Sequence, residues 1–331
     1  MTSQQSPLRT KRLAQCLAAL GLCIAMAGDV SGADLGLITA GEHGTYYHFG
    51  QDLRRLLKPQ GINVIVHRSN GAVENVRALI DRPGVQLGIV QSDMLTAITE
   101  QQRNLAMRAA AEGMRLVFPL YDEQVHIVAR AGIKDIGGLA GQLVAIGGEG
   151  SGTYLTALAL FQLAAVVPGA MIAMDGAEAL AHLRAGRIDA MVSVAGHPVR
   201  LLHDGVTLQG DLALVPVTAP AILDAYAATE IPAGMYPWQP NAVPTVAVTA
   251  LLVVYDAGRR HCATIGRLAH HVVEGLGWLV ENGHPYWKRV DLQRPIKGWE
   301  QYDCVRQYAE GHGPSMSPVR RPALHGATRV H

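Results

Sequence analysis

Leu35-Gly-Leu-Ile-Thr-Ala-Gly-Glu-His-Gly-Thr-Tyr46 returns later in the chain as Leu143-Val-Ala-Ile-Gly-Gly-Glu-Gly-Ser-Gly-Thr-Tyr154. Each copy is an apolar run of strand length, a glycine-rich break, and a Gly-Thr-Tyr that opens a helical pattern. The echo continues downstream. Gly71-Ala72 with Glu74, a helical stretch and the apolar run Val85–Val90 are matched by Gly176-Ala177 with Glu178, a further helical stretch and Ile188–Val194. Gly152 follows Gly44 by 108 residues and Gly176 follows Gly71 by 105, so the copies run in register. A solenoid would need more copies at a much shorter period. Two similar α/β lobes, each ending a strand in a turn rich in backbone N–H groups, predict a ligand held between them.

The 331 residues leave room for two lobes of ordinary domain size. Hydrophobic residues make up 49% and aromatic residues only 5%, which suits Ala/Val/Leu-rich α/β layers. Lys+Arg 28 against Asp+Glu 27 leaves no basic excess, so nucleic acid is not an expected partner. Arg9, Lys11 and Arg12 precede an uncharged run from Leu13 to Ala27, too short to span a bilayer comfortably. Small-residue sites follow, so residues 1–33 read as an export signal cleaved after Ala27 or Ala33, with an uncleaved anchor as the alternative. Periplasmic localisation is the expectation. Cys16 and Cys23 leave with the signal. Cys262 and Cys304 remain; an oxidising compartment would let them pair, and two free thiols in separate helices are the other outcome.

Leu35–Ala40, Ile62–Val66 and Val85–Val90 read as strands, with helices beginning near Tyr46 and after the Ser69-Asn70-Gly71 turn. Leu116–Leu120 and Val125–Ala129 read as two further strands. The second copy supplies strand Leu143–Ile146, a helix from Thr153 to about Val166, and strand Asp189–Val194. Thr245–Val254 is a strong strand, and one helix is expected from about Arg259 to Asn282. Strands alternating with helices imply parallel βαβ units. Connections near Ala129–Lys134 and Ala242–Val246 would return the C-terminal elements to the first lobe. The expected organisation is lobe 1 from 34–129 plus 246–310, lobe 2 from 130–245, and a disordered tail over 311–331.

No His-Glu-x-x-His, Cys-x-x-Cys or Gly-x-Ser-x-Gly occurs, and no Lys precedes Thr153 in the phosphate-loop-like Gly147–Thr153 run. No metal and no cofactor are expected. Gly44-Thr45-Tyr46 and Ser151-Gly152-Thr153 should instead set backbone N–H groups and hydroxyls at helix N-termini, which attract carboxylates or phosphates. Serine and threonine also cap helices with no ligand present. Gln91-Ser92-Asp93 and Ala195-Gly196-His197-Pro198 end equivalent strands at the edge where α/β sheets tend to bind ligands. Ser69 and Asn70, beside Arg68, join the candidate site. Arg68 and Glu42 are the charges nearest the expected turns, and a solvated surface role is the alternative for each. His126, on an apolar strand, reads as a core or hydrogen-bonded histidine, and His270-His271 sits on a helix.

These phrases together resemble the TAXI family of solute-binding proteins, the receptors of TRAP transporters. The resemblance rests on Gly44-Thr45-Tyr46-Tyr47, Gly71-Ala-Val-Glu-Asn75, Leu87-Gly-Ile-Val-Gln-Ser-Asp93 and Gly150-Ser-Gly-Thr153. Ile188-Asp-Ala-Met-Val-Ser-Val-Ala-Gly-His-Pro198, Ile231-Pro-Ala-Gly-Met-Tyr-Pro237 and Val243-Pro-Thr-Val-Ala-Val248 extend it over about residues 35 to 255, in order. It implies an α/β, two-lobed periplasmic-binding-protein fold (type II-like) with a hinge and an interlobe ligand cleft. It also implies delivery of a small organic acid or an amino acid such as glutamate to TRAP-type permease subunits. Ligand contacts are then expected in the Gly-Thr-Tyr, Gln-Ser-Asp and Gly-Ser-Gly-Thr turns. Glu42-His43 and His48 depart from the family pattern, as does the segment past Asn282, and they bear on ligand identity more than on fold.

The expected function is therefore an extracytoplasmic receptor for a small anionic solute, without chemistry of its own. A receptor signalling to a membrane sensor is the alternative binding role. An enzyme on the same architecture would need Asp93 or His197 at the cleft. Discrimination among acids is expected from Arg68, pairing a second carboxylate, or from Glu42, accepting from an α-amino group.

Overall fold

The computed structural model describes residues 33–42, 44–101, 108, 111–205, 211–255 and 259–309. The expected export signal up to residue 32, with Cys16 and Cys23, lies outside the described residues, as do His43 and the tail 311–331. Contacts divide the chain after Ala33, and the fold lies in the unit from Asp34 onward. No helix among the described residues is long and apolar enough to cross a membrane.

The first half alternates as its sequence pattern demands: β1 (Ala33–Ile38), α1 (Thr45–Leu57), β2 (Ile62–His67), α2 (Ala72–Asp81), β3 (Leu87–Gln91) and α3 (Met94–Gln101). Phe49, Leu53 and Leu57 recur every fourth residue and are the buried stripe of α1. β3 is buried along its whole length, the pattern of a parallel strand covered on both faces, and it pairs in parallel with β1 through Leu37↔Leu87.

β4 runs unbroken from Met114 to Arg130, 17 residues where sequence reading expects two strands. The misleading stretch is Tyr121-Asp-Glu-Gln124, whose polarity reads as a turn. It stays in the strand because its backbone is paired. The second half follows with β5 (Leu143–Ala145), α4 (Gly152–Leu163), β6 (Ala170–Ile172), α5 (Gly176–Arg184) and β7 (Ala190–Ala195). The short elements α6 (Arg200–Gly205), β8 (Leu212–Leu214), α7 (Pro220–Ala225) and β9 (Ala227–Ile231) lead to β10 (Val243–Tyr255).

The strand order is β2-β1-β3-β10-β4-β7-β5-β6, with β8 joined to β4 and β9 to β10. β4 pairs with β10 from Met114 to Gln124 and with β7 from Gln124 to Ala129. β10 pairs with β9 through Val243–Ala247 and with β3 through Ala250–Val254. Each long strand thus belongs to both halves. The register shifts between Thr249↔Asp122 and Leu251↔Pro119. An extra residue on β4 next to a proline that cannot donate to the ladder is a bulge, which bends the strand as it crosses.

The helix expected over Arg259–Asn282 is two helices, α8 (Cys262–Glu274) and α9 (Leu276–Asn282), parted at Gly275. A Cβ there would lie 2.8 Å from the His271 carbonyl oxygen, a backbone atom, so glycine suits the corner where α8 ends beside Leu56 of α1. The following turn docks on α1 through Asp52, which accepts from Trp287 Nε1 at 2.8 Å and His284 N at 2.7 Å. Phe49 stacks on Trp287 at 4.3 Å beside that bond. Buried apolar clusters flank both halves of the sheet, so each half has its own core.

Cys262 on α8 is bonded to Cys304 on α10 (Asp303–Ala309), with Cα atoms 5.3 Å apart. The bridge closes a 42-residue separation, which in the chain-entropy treatment stabilises the fold by about 4 kcal/mol. Reduction should therefore lower the unfolding free energy by about that amount. Denaturant titration of oxidised and reduced protein measures it, and coincident curves would mean the bridge constrains nothing.

Candidate functional site

Three helix N-termini open on one cavity of about 1270 Å³, lined by Gly44, Thr45 and Tyr46 of α1, Gly71 and Ala72 of α2, and Ser151, Gly152 and Thr153 of α4. α1 and α2 belong to the first half of the sheet and α4 to the second. Their unpaired N–H groups and partial positive ends converge.

Each start is built locally. Ser151 caps α4, its Oγ accepting from Tyr154 N at 3.1 Å, and Thr153 Oγ1 accepts from Val194 N at 3.1 Å. Both hydroxyls act here as acceptors, which leaves each one proton to donate. At α2, Ser69 Oγ accepts from Gly71 N, and Glu74 accepts from Asn70 N at 2.9 Å. Asn75, wholly buried, donates to Thr39 O and Ile89 O and so fixes α2 to the ends of β1 and β3.

The two halves meet where Val73 N donates to Gly150 O at 3.1 Å. Gly71 makes this possible. Its φ of 137° is a conformation that glycine alone adopts readily, and a Cβ would lie 2.8 Å from Ser151 Cα. Gly71→Ala should destabilise the protein by about 1–3 kcal/mol and weaken whatever the cavity holds. Thermal unfolding and a ligand titration on the variant measure both, and unchanged values for the two would remove Gly71 from this account.

Glu123 lies at the bend of β4, 5% exposed. Its Oε2 accepts from Tyr46 OH at 2.8 Å and Gln91 Nε2 at 2.9 Å, and its Oε1 from Tyr121 OH at 3.2 Å. Burial pushes its carboxyl up to about 7, against the opposing pull of these donors. The same burial, with the Glu123 charge, holds Tyr46 and Tyr121 well above the usual phenol range. Gln91 Oε1 is buried and finds no protein partner. A Cβ on Gly152 would lie 1.9 Å from that oxygen, so α4 begins directly against the Gln91 amide.

Of the residues named from sequence, Gly44, Thr45, Tyr46, Ser69, Asn70, Gln91, Ser151, Gly152, Thr153, Ala195 and Gly196 line this cavity. Arg68, Ser92 and Asp93 do not. Arg68 pairs with Glu42 at 2.8 Å, with side chains 64% and 53% exposed, so both charges are spent at the surface. Ser92 is held against β10: its N donates to Thr249 O and its Oγ accepts from Thr249 N. Asp93 is half-buried between helices, accepting from Thr156 Oγ1 at 2.8 Å and Tyr226 OH at 3.1 Å. Burial raises its carboxyl, and these two donors oppose the rise. His197 is also absent from the lining, and burial together with Arg289 lowers its imidazole.

Sequence reading missed Glu123, Tyr121 and Tyr286. Tyr121 and Glu123 carried a signal: a polar run interrupting two apolar strands in register with each other. Tyr286 carried none. His126 is wholly buried, bonded to Tyr236 OH at 2.8 Å, and burial takes it down to about 4. His270, His271 and Glu274 on α8 gather ligand atoms within 4.8 Å of one another, a metal-compatible group that sequence spacing did not suggest.

Glu123 and His126 have opposite pH linkage. Between about 4.5 and 7 the folded state keeps a Glu123 proton that the unfolded chain has released, so stability falls as pH rises. Between 6.5 and about 4 the unfolded chain takes a His126 proton that the folded state refuses, so stability falls as pH drops. In their overlap the two offset each other. Glu123→Gln removes only the first, so the variant should gain about 3 kcal/mol on the parent between pH 4.5 and 7. Denaturant unfolding across that range tests this; a constant difference would mean Glu123 titrates as an exposed acid does.

Two cored halves, crossed by two long antiparallel strands and sharing a cavity at their helix starts, make this an α/β periplasmic-binding-protein fold. The chain belongs to the NMT1-like family, whose pattern matches residues 37–261. It is similar to the periplasmic binding protein BugD, at 14% identity and a TM-score of 0.51, over 84% of this chain and 96% of BugD. It is also similar to MatC from Rhodopseudomonas palustris with bound malate, at 17% identity and a TM-score of 0.50, over 85% of this chain and 96% of MatC. At these identities the likeness is one of fold.

Proposed function

We propose that this protein is a TAXI-type extracytoplasmic receptor that captures a small carboxylate-bearing ligand and delivers it to a TRAP-type permease. The observation that carries the reading is the convergence of the α1, α2 and α4 N-termini, from both halves of the sheet, on one cavity. A carboxylate placed there accepts several hydrogen bonds without needing a cationic side chain, and binds both halves at once. A ligand that touches both halves favours the closed arrangement by its differential affinity for it. Residues 1–33 serve as the export signal in this reading. Lobes of 34–129 with 246–310 and of 130–245 close about the crossing of β4 and β10.

The malate held by MatC, on a similar fold, supports including dicarboxylates among the acids to be tried. The enzyme alternative loses its two nominated groups, since Asp93 and His197 lie outside the cavity lining.

Thr45→Ala, Ser151→Ala and Thr153→Ala test the site. If their hydroxyls donate to ligand, each should weaken binding about tenfold or more, because a hydrogen bond to a charged group contributes roughly 1.5–3 kcal/mol. A purely structural role forecasts affinity unchanged, with about 1 kcal/mol lost from stability at Ser151, the one of the three that caps a helix. Calorimetric titration and thermal unfolding of each variant, after ligand is stripped by unfolding and refolding, separate the two. In the parent protein, ligand at about 100 times its dissociation constant should stabilise the fold by about 2.7 kcal/mol. A broad panel of organic and amino acids that shifts no melting curve would sink the proposal.

A further inference from the structure

α8 carries a cluster of metal-ligating side chains outside the cavity. His270, His271 and Glu274 each place a ligand atom within 4.8 Å of the others, and none of the three lines the cavity. At about 100° per residue, Glu274 falls about 40° round the helix from His270 and about 60° from His271. All three therefore share one face, with the carboxylate one turn on and between the two imidazoles.

The spacing is that of a coordination sphere. His270 Nε2 and Glu274 Oε2 are 3.3 Å apart. Two ligands each about 2.0–2.1 Å from a tetrahedral zinc ion stand about 3.3 Å from each other. The rings of His270 and His271 lie 5.3 Å apart at 61°, inclined and not stacked. An ion pair between a protonated His270 and Glu274 would have the same separation. What favours a metal is the third group, His271, which such a pair does not use.

The setting favours a cation. The three groups stand toward the end of α8, which stops at Gly275, and the last carbonyls of a helix carry its partial negative charge. Arg267, one turn earlier, opposes an ion by its charge, but its guanidinium is drawn to Gln60 O at 3.4 Å. The frame is held from behind: Leu268, Ala269 and Val272 of the same turns are buried, and Cys262 ties the start of α8 to Cys304. Ligands on a helix packed in this way need little reordering. His270 and His271 are half-buried and Glu274 is exposed, which leaves an ion a path from solvent. Two imidazoles and a carboxylate suit zinc and its neighbours better than calcium or magnesium, which take oxygen ligands.

We infer that His270, His271 and Glu274 form a binding site for one divalent transition-metal ion of the zinc class, separate from the ligand cavity. Three protein ligands leave a fourth position open to water. Because all three come from one helix, the ion fixes the last turns of α8 beside the corner at Gly275 and does not join the two halves. The site is independent of what the cavity binds.

The test is calorimetric titration of zinc into the tag-free full chain after chelator treatment and dialysis. A single saturable site is expected. His270→Ala and Glu274→Gln should each weaken it about tenfold or more, since even residues that only orient a metal ligand cost that much. His203→Ala, at an exposed histidine on α6, should leave it unchanged. In the parent protein, zinc should also protect His270 and His271 from acylation by diethyl pyrocarbonate, read by peptide mass, which needs no variant to fold. A parent that binds no zinc overturns the inference. So does zinc binding that both variants retain while His270 and His271 stay unprotected, because the ion then sits elsewhere. Stability lost in Glu274→Gln with no response to zinc in the parent would leave an ion pair only, and would overturn it as well.

Discussion

The antiparallel ladder between β4 and β10 is the constraint on which the rest depends. These two strands are the only elements that pair with both halves of the sheet in the described residues, so the halves are joined by backbone hydrogen bonds and not by loops alone. Such a joint resists sliding but tolerates bending, and the bulge opposite Thr249–Leu251 puts the bend at Pro119–Asp122. Everything that faces the cavity from β4, including Tyr121 and Glu123, takes its position from that bend.

Polar groups at this crossing obey a different rule from those in either core. Asp122 is tied to Arg294 by two bonds of 2.9 and 2.7 Å, while the neighbouring Glu123 has only neutral donors. Successive residues of a strand point to opposite faces, so one acid is neutralised in the fold and the next is presented to the cavity. Asp93 and Thr156 hold α3 against α4 through a partly buried hydrogen bond, which gives the two halves a second contact besides Val73–Gly150. Leu155 of α4 also packs into the apolar cluster of the first half, so the halves meet through apolar as well as polar contacts.

Much of this was legible before any coordinates. The duplicated strand–glycine–helix phrase announced two α/β halves and their facing turns, because glycine, serine and threonine at a helix start have few other uses than capping and anion binding. The apolar runs of β1, β3, β7 and β10 were legible for the same local reason: a strand covered on both faces needs a continuous hydrophobic run. What misled was polarity inside β4. A Tyr-Asp-Glu-Gln run reads as a turn when its neighbours are unknown, and only the pairing of β10 alongside it keeps the chain extended.

The roles of the charged residues were likewise a tertiary matter. Arg68 and Glu42 stand near the expected turns in sequence and find each other in space, whereas Tyr286 is remote from every motif and closes over Tyr121. The sequence by itself determined the two-halved α/β pattern and the helix starts that face each other, because periodicity and capping act over a few residues. The tertiary structure alone decided which charge remains unpaired in the cavity, because pairing and desolvation depend on what long-range packing brings within a few ångströms.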